Sequence, residues 1–123
     1  MQQEIIDVSN ISILSQLENY LSLTNQRETV IASNMANVDT PGYHTKDVDF
    51  QHELARATAA PAGSSPQVAV RDVGGLLERP DGNNVDIDRE AMKLSEVQLQ
   101  YQMGTQLMKD RFHQIITAIN EGQ

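Results

Sequence analysis

Ser33-Asn34-Met35-Ala36-Asn37-Val38-Asp39-Thr40-Pro41-Gly42-Tyr43 is the stretch on which the architecture turns. An apolar-periodic segment runs into it and cannot run through it. Pro41 has no amide donor and fixes its own φ, and it biases Thr40 toward extended geometry. Gly42 can take a positive φ, so Thr40-Pro41-Gly42-Tyr43 suits a type II turn, with Pro second and Gly third. A helix is therefore predicted to end here and the chain to reverse.

Upstream, Leu14, Leu17, Leu21, Thr24, Glu28, Ile31, Met35 and Val38 follow alternating spacings of three and four. This is a heptad seam with two polar interruptions, Thr24 and Glu28. The spacing predicts a helix over 10–38, ~43 Å long at 1.5 Å per residue. Residues 1–9 are short and polar and are expected to start unfolded. A helix this long and amphipathic needs a partner for its stripe.

Downstream, 39–50 reads as the turn followed by an extended segment. Val48 and Phe50 fall on one side of it, and Asp47 and Asp49 on a solvated edge. Residues 51–57 allow one or two helical turns. Residues 58–67 have loop composition, and Val68 to Val73 suits a brief strand. The middle, 51–83, is expected to be variable and loosely ordered in the free chain. A second helix is predicted over 86–121. Asp86 or Asp88 caps it, and with Asp88 as the cap Ile87 and Met92 would form a hydrophobic staple. Its seam is Leu94, Val97, Tyr101, Gly104, Met108, Ile115 and Ile119, with Phe112 alongside. Gly104 weakens this helix by roughly 1 kcal/mol relative to Ala, or else admits a neighbouring helix at close range. The expected fold is mainly α: one subunit, 1–123, whose two long helices pack as a coiled-coil-like hairpin around an irregular or short-β middle.

Composition narrows the function. The 123 residues carry 17 acidic and nine basic groups, a net charge of −8. Acidic residues occupy both halves and basic residues form no cluster, which disfavours nucleic acid and anionic membrane surfaces. Aromatic residues make up 4 %, so aliphatic side chains must supply the burial. With no cysteine, disulfides, thiolate metal sites and thiol catalysis are excluded. No secretory signal or apolar run of ~20 residues is visible, which alone predicts a cytoplasmic chain without a membrane span.

No constellation of catalytic residues is present. His44, His52 and His113 lie in no metal-binding spacing, no Ser lies in a Gly-x-Ser-x-Gly setting, and Gly74-Gly75 has no following Lys to form a phosphate loop. Asp81-Gly82-Asn83-Asn84-Val85-Asp86-Ile87-Asp88 is rich in oxygen ligands. It fails the calcium-loop template, because Asp86 stands where Gly is needed and Met92 where Glu is needed. The segment reads as a turn and a helix cap. No enzyme activity, metal or cofactor is expected.

The Ser33–Tyr43 segment resembles the signature of bacterial flagellar axial proteins, the rod and hook family. Lys46-Asp47-Val48-Asp49-Phe50 and the run from Asp81 to Glu90 resemble the corresponding stretches of its proximal rod subunits. The likeness covers ~10–50 and ~80–121 and leaves 51–79 uncovered. Met35 stands where Ile or Leu is usual, and His44 where a basic residue is commoner. The resemblance implies a structural subunit of the basal body, made in the cytoplasm and exported unfolded by the flagellar type III apparatus. It would assemble in the periplasmic rod with other rod subunits and the ring-rod junction protein. It further implies that Asn34, Ala36, Asn37, Thr40, Pro41, Gly42 and Tyr43 form the family turn. Leu14, Leu17, Leu21, Ile31 and Met35, with Leu94, Val97, Tyr101, Met108, Ile115 and Ile119, would then be the assembly seams. A soluble helical-hairpin adaptor or secretion chaperone is the competing reading.

Overall fold

The computed structural model describes residues 2–61 and 67–122, with side chains from residue 12 onward. Two 35-residue helices, α1 (Gln2–Ala36) and α3 (Ile87–Glu121), dominate it. Between them lie β1 (Lys46–Val48), α2 (Phe50–Ala59) and β2 (Val70–Asp72). The mainly helical hairpin with a short β middle is the expected architecture. No described helix is long and apolar enough to cross a membrane.

The helices are antiparallel, and their register follows from two contacts. Asn34 meets Glu90 through a side-chain hydrogen bond. Fourteen residues back along α1, Tyr20 lies against Gly104, fourteen residues on along α3. Two heptads on one helix therefore match two heptads on the other, as a supercoiled pair requires. Ile31 and Val97 are sealed between the elements at 1 % and 0 % exposure. Thr24, one of the polar interruptions, is also fully buried. Its hydroxyl donates to the Leu21 carbonyl at 2.7 Å, so the seam tolerates it without an orphaned polar group.

Gly104 shows why the helices come so close. A Cβ there would lie 2.8 Å from Leu21 Cδ2 and 3.0 Å from the Tyr20 ring. The glycine is thus a notch for α1, which offsets its cost to the helix. The Tyr20 ring stands edge-on to Phe50 at 5.4 Å, tying α2 to α1.

Both limits of α1 need correction. Helix α1 begins at Gln2 rather than near residue 10. It ends at Ala36, two residues earlier than expected, where the Asn37 and Val38 amides close the last turn on Ser33, Asn34 and Met35 carbonyls. Of the two expected caps of α3, Asp86 takes the position, its carboxylate accepting from the Asp88 and Arg89 amides. Ile87 and Met92 are 41 % and 64 % exposed and form no staple. In the middle, α2 runs for ten residues where one or two turns were expected, capped by Asp49. β1 and β2 pair antiparallel with Asp47 opposite Arg71. The loop expected over 58–67 falls largely on 62–66, outside the described residues.

Candidate functional site

Two polar segments meet at the end of the hairpin where α1 leaves and α3 begins. The first is the Asn34–Tyr43 turn. The Tyr43 amide donates to the Thr40 carbonyl, and Gly42 has φ +75°, as the third position of a type II turn demands. Asn37 closes the helix end by donating its side-chain amide to the Ser33 carbonyl, and its Oδ1 accepts from the Thr40 hydroxyl. Ala36 and Pro41 are exposed beside it.

Asn34 is the centre of this end and is wholly buried. Its Nδ2 donates to the Lys46 carbonyl at 2.7 Å and to Glu90 Oε2 at 2.9 Å. Its Oδ1 accepts from the Tyr43 hydroxyl and the Lys46 amide, both at 3.0 Å. Two donors and two acceptors exhaust a carboxamide. One side chain thus joins α1, the turn, β1 and α3. Glu90 is 1 % exposed, and its other oxygen accepts from Arg89 Nη1 at 2.8 Å.

The second segment, Arg79 to Asp86, clasps the first. Asn83 is wholly buried. Its Nδ2 donates to the Asn37 and Thr40 carbonyls, each at 2.8 Å, and its Oδ1 accepts from the Val85 amide. Asn84 Oδ1 accepts from the Thr45 amide at 2.6 Å. Arg79 donates to the Val38 and Val85 carbonyls. Gly42 donates its amide to the Asp81 carbonyl, and a Cβ on Gly82 (φ +86°) would lie 3.3 Å from Gly42 Cα. The oxygen-rich run is therefore spent on the turn's own backbone. Among the described residues no three His, Cys, Asp or Glu side chains gather as a metal site.

Beside the clasp, Arg27 is 7 % exposed and pairs through both arms with Asp47, at 3.1 and 3.2 Å. Burial alone pushes the Asp47 carboxyl upward. The Arg27 hydrogen bond, the Val48 amide and the charges of Arg27 and Arg89 outweigh it and hold the group below its ordinary value. The expectation of a solvated edge thus fails for Asp47, because only the tertiary fold brings Arg27 to it. Asp49 instead caps α2.

The match to known proteins falls on this site. The flagella basal body rod protein family matches residues 21–44, the second half of α1 with its turn. The chain is 30 % identical to the flagellar basal body rod protein FlgB of Bacillus subtilis (strain 168), over 89 % of this chain and 95 % of that one. It is 32 % identical to FlgB of Salmonella typhimurium, over 83 % and 88 %. The chain belongs to the FlgB family of flagellar basal body rod proteins. FlgB of Escherichia coli (strain K12) is similar at 30 %.

The seam residues proposed from the sequence divide in this FlgB-family chain. Ile31 and Val97 are buried. Leu14, Leu17, Leu21, Met35, Leu94, Met108 and Ile115 are half-buried. Tyr101 and Ile119 are exposed, at 40 % and 53 %. Sequence reasoning missed Arg27, Arg79, Asn83, Asn84 and Glu90 as members of the site. Asn83, Asn84 and Glu90 lay within the Asp81–Glu90 run that carried the family likeness, a signal that could have found them.

Proposed function

We propose that the chain is a structural subunit of the proximal rod, exported by the flagellar type III apparatus and assembled through its terminal helices. In that place it transmits torque from motor to hook. Its partners are further rod subunits, the ring-rod junction protein, the export apparatus and other copies of itself.

The observation that carries this reading is the outer face of α3. Met92, Leu99, Met103 and Leu107 recur at helical spacing, each more than half exposed. A monomer gains nothing from a stripe of this kind, whereas an assembly buries it. The buried clasp at the start of α3 supports the same reading, as a joint that carries force between the two helices. It locks the exit of α1 to the entry of α3 by satisfied hydrogen bonds, which set geometry more sharply than apolar contact does.

Deleting the gene in its own bacterium and isolating basal bodies tests this. Loss of motility, restored by the wild-type gene, is expected, with the chain present in the basal body fraction. Removing the export apparatus should leave it in the cytoplasm. A motile deletion strain, or a chain bound to one export cargo and absent from basal bodies, would replace the rod reading with that of an adaptor.

A further inference from the structure

Leu77 is 92 % exposed, the most exposed large apolar side chain among the described residues. It does not sit on a loose tether. Two residues on, Arg79 holds the Val38 and Val85 carbonyls, and just before it Gly75 turns the chain at φ +79°. A fixed apolar knob loses little freedom when it docks. Glu78 follows it, 56 % exposed, its Oε1 lying 3.7 Å from His44 Nε2.

Elsewhere on the same chain lies a groove of ≈ 410 Å³ whose lining includes Leu17, Tyr20, Leu54, Met103, Gly104 and Leu107. Gly104 lies in its floor, where α1 and α3 come closest. Arg111 stands one helical turn beyond Leu107 on the same face. Its side chain bonds Gln114 Oε1 at 3.4 Å and has no carboxylate within 4 Å among the described residues. The apolar groove ends in an unneutralised cation, and the apolar knob is followed by a carboxylate.

The chain cannot fill its own groove. Arg79 anchors the knob at the end of α1, and Tyr20 lies sixteen residues before Ala36, roughly 25 Å along the helix. We propose that Leu77 of one copy seats in this groove of a second copy, with Glu78 beside Arg111. Knob and groove are different surfaces, so the contact is heterologous and leaves each end of the pair open for a further copy. Leu77 supplies the apolar burial, and the solvated charge pair sets the orientation. The contact rests on the reading of the chain as a self-assembling rod subunit.

The absence of cysteine makes the test clean. Leu77→Cys and Leu107→Cys are placed in one chain and treated with a short bis-maleimide, in isolated basal bodies and on the purified protein. A ladder of dimers, trimers and larger species is expected, with no product from either single variant. Glu78→Arg should lower the ladder yield at least five-fold, and adding Arg111→Glu should restore it. In cells, Leu77→Asp should reduce motility while Leu77→Met retains it. Basal bodies that contain the double-cysteine chain yet give no ladder overturn the contact and leave the rod reading standing. A dimer from Leu77→Cys alone also overturns it, since that contact would be symmetric. Absence of the wild-type chain from basal bodies overturns the rod reading and this contact with it.

Discussion

Asn34 donates to Glu90 across 56 residues of sequence, at 2.9 Å, with neither side chain reaching water. With the Tyr20–Gly104 contact, this bond marks the height of α3 against α1. It also places a carboxylate where a second negative charge could not be accepted.

Asn34→Asp puts that second charge in place and removes both donors. A loss of about 3 kcal/mol is expected, as for an uncompensated buried charge. Glu90→Gln keeps an acceptor for Asn34 and should cost about 1 kcal/mol. Urea unfolding of the two variants checks this; equal losses would remove charge as the cause.

Asn83→Ala should cost about 3 kcal/mol, because it strips a donor from the buried junction with the Asn37 and Thr40 carbonyls and leaves the Val85 amide unpaired. Amide exchange should rise at Val85 and Tyr43 together. Faster exchange at Val85 alone would mean the turn holds its shape without the clasp.

Gly42 and Gly82 both have positive φ, so an alanine at either costs roughly 1–2 kcal/mol in backbone strain. Only Gly82 also meets a neighbour: its Cβ would press on Gly42 Cα, whereas a Cβ on Gly42 would meet nothing within 4 Å. Gly82→Ala is therefore expected to be the more damaging in thermal melts. Gly42→Val should impair rod assembly through the same strain, read as reduced motility.

Gly104 sets two effects against each other. Alanine gains about 1 kcal/mol of helix propensity and loses a similar amount in pushing aside the Leu21 methyl and the Tyr20 ring. Gly104→Ala should thus lie within about 1 kcal/mol of wild type. Gly104→Leu cannot be relieved in the same way and should lose about 2–3 kcal/mol. Chemical denaturation of both distinguishes a packing notch from a merely tolerated glycine.

Asp47 links stability to pH. Its carboxyl is held below its ordinary value of 3.8 in the fold, so its stabilising contribution is fully present above that value. The contribution is lost as pH falls through the lower folded value. Melting temperatures of wild type and Asp47→Asn should differ by a constant amount above about pH 5 and converge below about pH 4. A gap that persists unchanged into acid would show that the pair with Arg27 contributes no charge-dependent stability.

The long helices were legible because they are written in local spacing: seams of three and four, a stop at Pro41-Gly42, and acidic residues able to cap the second helix. The type II turn was legible for the same reason. Thr24 looked like an interruption of the seam because sequence spacing does not reveal a hydroxyl returning to its own helix at Leu21. Asp47 looked solvated because its partner, Arg27, lies twenty residues away on another element.

By itself, then, the sequence determined two helices and the turn that follows the first, since propensity, capping and φ preference act within a few residues. Tertiary structure alone decided which polar groups would be buried together. Asn34, Asn83 and Glu90 are ordinary polar residues until the hairpin closes and removes water, when each must find its partners across tens of residues. The same closure separated the apolar positions of α3 into those facing α1 and those left outside, a division the spacing alone leaves open.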